Sequence, residues 1–255
     1  MELSTITERF DERLSTAAFS DVDASANGLQ VGPPEADIDH VAFAVDAAES
    51  TIGAAAESDA DLLVTHHGLS WGGIERVTDR QYRRIAALVE NEIALYVSHL
   101  PLDGHQTLGN AAGIAELLGL EETAPFGSVG SVAIGQQGRF ADPQLLETVV
   151  DTLSDTLETG GQGVRLLEFG PTEIERVAVV TGSGVDWLDE ALAVEADLLI
   201  TGEGKQKVYH EAREAGINVL LAGHYASETF GVKRLQAVVD SWDVSTSYHS
   251  HPTGL

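Results

Sequence analysis

At 255 residues without a single cysteine, the chain excludes disulfides and thiolate metal sites and leaves nitrogen and oxygen as its only donors to a metal. Forty-one acidic residues against 14 basic ones give a net charge of -27, which repels phosphate backbones and argues against general nucleic-acid binding. No stretch approaches the ~20 apolar residues of a membrane span, and Met1-Glu2-Leu3-Ser4-Thr5 has neither the basic nor the apolar region of a secretory signal, so a soluble, cytoplasmic protein is expected.

Ile6, Phe10 and Leu14 recur at helical spacing and predict an amphipathic helix over 5–18. Asn27-Gly28-Leu29-Gln30-Val31-Gly32 reads as a short strand leaving a turn, ended by Pro33-Pro34. Residues 41–45 predict a buried strand, the Ala-rich 47–58 a helix, and 61–65 a second strand that runs into His66, His67 and Gly68. A helix over roughly 79–91 precedes a strand at 93–97, which opens into Ser98-His99-Leu100-Pro101-Leu102-Asp103-Gly104-His105 and a helix near 108–119. Strands alternating with helices predict an α/β fold with a largely parallel sheet covered on both faces. Residues 125–138, with Pro125, Gly127, Gly130, Gly135 and Gly138, read as a break, followed by a strand, a helix near 142–158 and a Gly-rich turn at 160–163.

Beyond that turn the first half repeats. Residues 40–68 align without a gap on 176–204 at a constant shift of 136, and 29–32 echo 167–170. Val97-Ser98-His99 with Asp103 echoes Ala222-Gly223-His224 with Glu228 at a shift of 125. The expected architecture is two related α/β halves from an internal duplication, 1–125 and 126–255, packed about a pseudo-twofold axis with a metal site between them.

Open α/β sheets place ligand sites at the carboxyl ends of their strands, and neutral imidazole is the commonest protein metal ligand. Adjacent strand residues point to opposite faces, so His66 and His67 are expected to share a site only where the strand breaks up, which Gly68 would permit. The first half supplies His66, His67, His99 and Asp103; the second supplies Gly202, Glu203, His224 and Glu228. Imidazole with carboxylate suits Zn, Fe, Mn, Co or Ni. Two such ions ~3.5–4 Å apart can share and acidify a hydroxide.

His66-His67-Gly68, His99 through Asp103 with Leu108-Gly109-Asn110, Ala222-Gly223-His224 with Glu228, and Asn27 through Val31 together resemble the NIF-three-like dinuclear-metal family, the GTP cyclohydrolase I type 2 homologues, over nearly the whole chain. The resemblance implies two divalent metal ions ligated by His66, His67, Asp103, His224 and Glu228, with Glu228 bridging. It also implies a toroidal homohexamer whose sites face an internal cavity. It leaves His99 beside the ligands, orienting one of them or a metal-bound water. The long insertion some members carry between the halves is absent, so no regulatory middle domain is expected.

Glu203 stands where the repeat puts His67 and is read as a general base or a grip for a substrate amine. With His99 it makes the expected catalytic pair. His105 is read as lining the site. Lys205 and Lys207 either attract a phosphate or offset nearby acids. His249 and His251 alternate on an expected final strand, and Thr181-Gly182-Ser183-Gly184 marks a strand-to-helix turn where N–H groups can hold an anion.

Five side chains over two metals leave positions open for water or substrate, which favours a hydrolase or a metal carrier over a scaffold with structural metals. The expected function is hydrolysis of a nucleotide-like or phosphoester small molecule by metal-held hydroxide; iron or other metal trafficking is the alternative. No guanine-reading pattern accompanies the motifs. The scattered acids, with lysine confined to Lys205, Lys207 and Lys233, are similar to the surfaces of proteins from salt-loving archaea, where salt screens the self-repulsion.

Overall fold

A computed structural model describes all 255 residues, Met1–Leu255. In chain order the strands are β1 (Gly28–Val31), β2 (His40–Asp46), β3 (Leu62–His67), β4 (Ala94–Val97), β5 (Glu121–Val129), β6 (Val132–Leu145), β7 (Arg165–Leu167), β8 (Glu173–Val180), β9 (Leu198–Thr201), β10 (Asn218–Leu221) and β11 (Ser245–Tyr248). The chain divides into two compact units, Met1–Leu102 with Gly231–His251, and Asp103–Phe230 with Pro252–Leu255. No helix is long and apolar enough to cross a membrane.

The first unit holds a sheet of order β1-β4-β3-β2-β11, parallel except for β1 at one edge. β2 and β3 are buried along nearly their whole length, as expected of strands covered on both faces. Leu3, Ile6, Phe10 and Leu14 form the buried stripe of the helix Leu3–Leu14. That helix stops where Ser15 turns left-handed (φ 52), so the expected 5–18 helix is an α-helix followed by the 3-10 turn Thr16–Phe19. Ile52, Leu63, Leu88 and Leu95 anchor the core of this unit, each stabilising it by roughly 1.5–3 kcal/mol through burial.

The second unit holds a sheet of order β5-β6-β8-β9-β10-β7, in which only β8, β9 and β10 run parallel. The expected break at 125–138 is instead a hairpin of β5 and β6. Its glycines mark close approach: a Cβ on Gly135 would lie 2.2 Å from the Val179 carbonyl oxygen. Gly130 turns the hairpin at φ 59. Because β6 continues to Leu145, the following helix is Leu146–Thr156, shorter than the expected 142–158. The core here gathers Ile114, Leu153, Val179, Ile200 and Leu220.

These units differ from the expected halves 1–125 and 126–255 at both ends. The division falls after Leu102, and the last strand returns to the first sheet, with Ser245 opposite His40 and Tyr248 opposite Phe43. Strand pairing there satisfies backbone groups that an open edge of β2 would leave to solvent.

Repeated residues do the same local work in each sheet. Asp61 Oδ2 accepts the N–H groups of Asp39 and His40 (2.8 and 2.9 Å), and Asp197 Oδ2 accepts those of Glu175 and Arg176 (both 2.9 Å). The residues two positions earlier, Asp59 and Glu195, are both left-handed, at φ 54 and 57. A Cβ on Gly32 would meet that of Ala94 at 2.7 Å, and one on Gly170 would meet the Asn218 nitrogen at 2.8 Å.

Candidate metal centre

β3 stays paired with β2 to its last residue, His67 opposite Asp46, so the strand does not break up before its histidines. Their rings meet because each leans on a different neighbour at the strand ends. His66 Nδ1 donates to the Ser98 carbonyl at 3.0 Å and His67 Nδ1 to Asp46 Oδ1 at 2.9 Å, which leaves the ring centroids 4.7 Å apart. Gly68 is not left-handed; its missing Cβ would lie 2.6 Å from the Gln30 side chain and 2.7 Å from Val97 Cγ2. Gln30 fills that space and accepts the Leu69 N–H at 2.8 Å.

His99 joins the same cluster, its ring centroid 5.1 Å from that of His66 and 5.7 Å from that of His67. Its Nδ1 donates to Asp23 Oδ1 at 2.9 Å and its backbone N–H to Asn27 Oδ1 at 2.7 Å. Burial opposes ionisation of Asp23, but bonds from His99, Asn27 and Ser25 hold its carboxyl below the usual carboxylate range. The candidate ligand atoms of His66, His67 and His99 all lie within 4.8 Å of one another. With each Nδ1 turned to an acceptor, each neutral ring carries its proton there and a lone pair on Nε2. Three such lone pairs in one place repel each other and attract a cation, so the donor set fits a divalent ion.

In the second unit Asp103 is buried, and its Oδ1 accepts from Asn110 Nδ2 (2.8 Å) and Thr181 Oγ1 (3.0 Å), which fixes the carboxylate. His224 follows β10 after the left-handed Gly223 (φ 92) and begins the short helix His224–Ser227. Its Nε2 lies 3.3 Å from Glu228 Oε2 and its Nδ1 3.5 Å from Glu203 Oε2. Burial alone would lower the His224 pKa, but Glu228 and then Glu203 push it up to about 9. A half-buried imidazole set between two carboxylates offers nitrogen and oxygen donors in one place, and this set too fits a metal.

Gly182 (φ 58) makes room for it: a Cβ there would lie 2.4 Å from Glu228 Oε1 and 3.1 Å from His224 Nε2. The 136-residue shift matches Gly182 to Asp46, so one position orients His67 in the first unit and stands clear of Glu228 in the second. The Ser183 hydroxyl donates to Glu203 and, with His224, holds that carboxyl below its usual range against burial.

Other expected groups have structural partners. Gly182 N–H donates to Ser227 Oγ and Gly184 N–H to Thr201 Oγ1, so the 181–184 turn spends these amides within the chain. Lys205 and Lys207 both pair with Asp186. His105 Nδ1 accepts the Leu108 N–H at 3.0 Å and shapes its own turn. β11 ends at Tyr248, so His249 and His251 follow it rather than alternate on it; they contact Ser58 (3.2 Å) and Ser50 (3.1 Å).

Sequence reasoning missed Asp23, Asp46 and Trp71. Trp71 is 46% exposed, with its ring 4.9 Å from His99 and 6.0 Å from His67 and its backbone bridged to Ser25. Asp46 had a signal, since it ends the strand beside β3; the other two sit in loops without a pattern.

The sequence profile of the family described as Duf34/NIF3 (NGG1p interacting factor 3) matches residues 1–250. A Halobacterium salinarum protein named GTP cyclohydrolase 1 type 2 homolog is 55% identical over 255 residues, covering 100% of both chains. A Pyrococcus abyssi protein of the same name is 42% identical over 256 residues, again covering 100% of both. Among solved structures, TTHA1606 from Thermus thermophilus superposes with a TM-score of 0.90 at 36% identity over 100% of both chains. Reduced HcgD from Methanocaldococcus jannaschii gives 0.86 at 25% identity over 98% of each.

Proposed function

Since the chain belongs to the Duf34/NIF3 family, we propose that it is a metal-dependent hydrolase with a dinuclear centre, acting on a nucleotide-like or phosphoester substrate. The observation that carries this reading is the pair His66 and His67, each with Nδ1 bound to an acceptor, with His99 held by Asp23 beside them. The ligands we assign are His66, His67, Asp103, His224 and Glu228. The sequence repeat supports that set, because it puts strand-end donors at matching positions of its two copies. Two divalent ions there, drawn from Zn, Fe, Mn, Co or Ni, would acidify water and offset charge on substrate oxygens.

The chain's own groups do the rest. Asp46 and the Ser98 carbonyl fix which nitrogen of His67 and His66 faces outward. His99, held by Asp23, orients water or substrate, and Glu203, kept ionised by Ser183, takes a proton or grips an amine. The relatives' name makes GTP the first nucleotide to screen. A cytoplasmic ring of six chains belongs to the same proposal; light scattering in high salt should return the mass of six 27.0 kDa chains, and a smaller mass sinks the ring.

The test starts from protein purified in high salt without a histidine tag. It should contain two metal equivalents per chain, both lost in a His67→Ala/Glu228→Ala double variant. On a nucleotide and phosphoester panel, Glu203→Gln and His99→Asn should slow turnover by roughly 10²–10⁴-fold while retaining metal. Metal that survives the double substitution refutes the ligand assignment. Full metal with no turnover on any substrate, and ready release to a chelator, would favour metal delivery instead.

A further inference from the structure

Of only three lysines in the chain, two fall at the start of one helix, Gln206–Ala215, with Lys205 as its N-cap and Lys207 in its first turn. No acidic residue lies in that turn and no side chain caps it. The amino end of a helix carries partial positive charge and favours acids. A chain with 41 acids that sets bases there reverses the preference. Asp186 offsets part of this charge by pairing with both lysines.

Beside this helix start lies a cleft of about 460 Å³, lined by Arg165, Lys205, Gln206, Tyr209 and His210 and by no carboxylate. Arg165 is exposed on the edge strand β7 and makes no ion pair. Leu167, Val208 and Leu221 add apolar lining. Tyr209 is 41% exposed, and its ring is set edge-on against Phe169 at 5.2 Å and His210 at 5.4 Å. An arginine that makes no ion pair, apolar side chains and an exposed aromatic ring therefore occur together, in a volume ordinary for small-molecule sites. With a net charge of -27 the surface at large repels anions, so an anion is held most readily where a base that makes no ion pair, here Arg165, lines a cleft without carboxylates.

We propose that this cleft binds a nucleoside monophosphate, its phosphate against Arg165 and the amino end of the helix and its base against Tyr209. Arginine suits phosphate through two parallel N–H donors, and the first-turn amides add donors already aimed outward. The inference goes beyond the metal-centre reading and is independent of it, because no residue lining the cleft is an assigned metal ligand.

Calorimetry on the metal-stripped full chain tests it, with AMP, adenosine and inorganic phosphate as probes. AMP should bind one per chain and more tightly than either adenosine or phosphate. Arg165→Ala should weaken AMP by about tenfold or more, the scale of one charge-assisted hydrogen bond, and Arg165→Lys by less. Tyr209→Ala should weaken AMP and adenosine and leave phosphate unchanged. Circular dichroism checks that the variants fold; both side chains are exposed, so folding should be retained. No AMP binding to the stripped chain overturns the proposal, as does an affinity unchanged in folded Arg165→Ala. AMP binding that appears only after metal loading would assign the nucleotide to the metal centre and overturn it equally. AMP no tighter than phosphate would remove the nucleoside from the assignment.

Discussion

Asp61 accepts two backbone N–H groups at the start of β2, and Asp197 accepts two within β8, in each case from a neighbouring parallel strand. Removing either carboxylate leaves two amides that only water can satisfy, at a cost of about 1–3 kcal/mol. Asp61→Ala and Asp197→Ala should each lower the unfolding free energy by about that much in denaturant titrations. Because the two residues serve different sheets and share no partner, the double variant should lose close to the sum. His249 sets a pH dependence of the opposite kind from a paired histidine. Burial and the nearby His40 hold its imidazole below the ordinary 6.5. As pH falls, the unfolded chain takes up this proton first, so the His249 contribution is undiminished above about 6.5 and stability is lost below it. His249→Asn should flatten the melting temperature over that lower range, and an unchanged slope would show that other groups govern it.

The turns after β2 and β8 show how one element position can be put to two uses. Gly182 combines a left-handed backbone with a Cβ position 2.4 Å from Glu228 Oε1, so Gly182→Ala must push the carboxylate aside. We expect a folded protein that has lost metal, seen as wild-type far-ultraviolet circular dichroism with reduced metal content. At the matching position, Asp46→Ala should leave His67 in place but unoriented and weaken metal retention by roughly 10–100-fold. The parallel strands were legible because their apolar runs are uninterrupted, and the histidine- and carboxylate-bearing strand ends followed from them. Glycine was ambiguous: at 160–163 it marks a real loop, whereas Gly127 and Gly135 lie inside a hairpin whose close contacts no local pattern reveals. Gly68 was legible as required, but for the wrong reason, since the Gln30 side chain that excludes a Cβ comes from another strand. The Asp23–His99 pair spans 76 residues and obeys no spacing rule, so only the folded chain could pair them.

At the scale of the whole molecule, 41 acids and 14 bases must be reconciled with a compact fold. Ion pairs help little, because those of Arg83, Arg139 and Lys205 lie at the surface, where such pairs contribute little stability. Most of the surplus charge is therefore left to solvent, and self-repulsion should fall as ionic strength rises. The screening length drops from ~10 Å at 0.1 M salt to ~3 Å at 1 M, so most of the gain should come within that range. We expect the melting temperature to climb steeply with KCl up to about 1 M and then level off. Levelling is the feature that identifies screening, because preferential exclusion of a salt such as sulfate keeps adding stability as its concentration grows. A steady rise with sulfate and none with KCl would assign the effect to exclusion. A melting temperature flat in both would mean that the acidic surface is no adaptation to salt, despite the charge and the 55% identity to a Halobacterium salinarum protein.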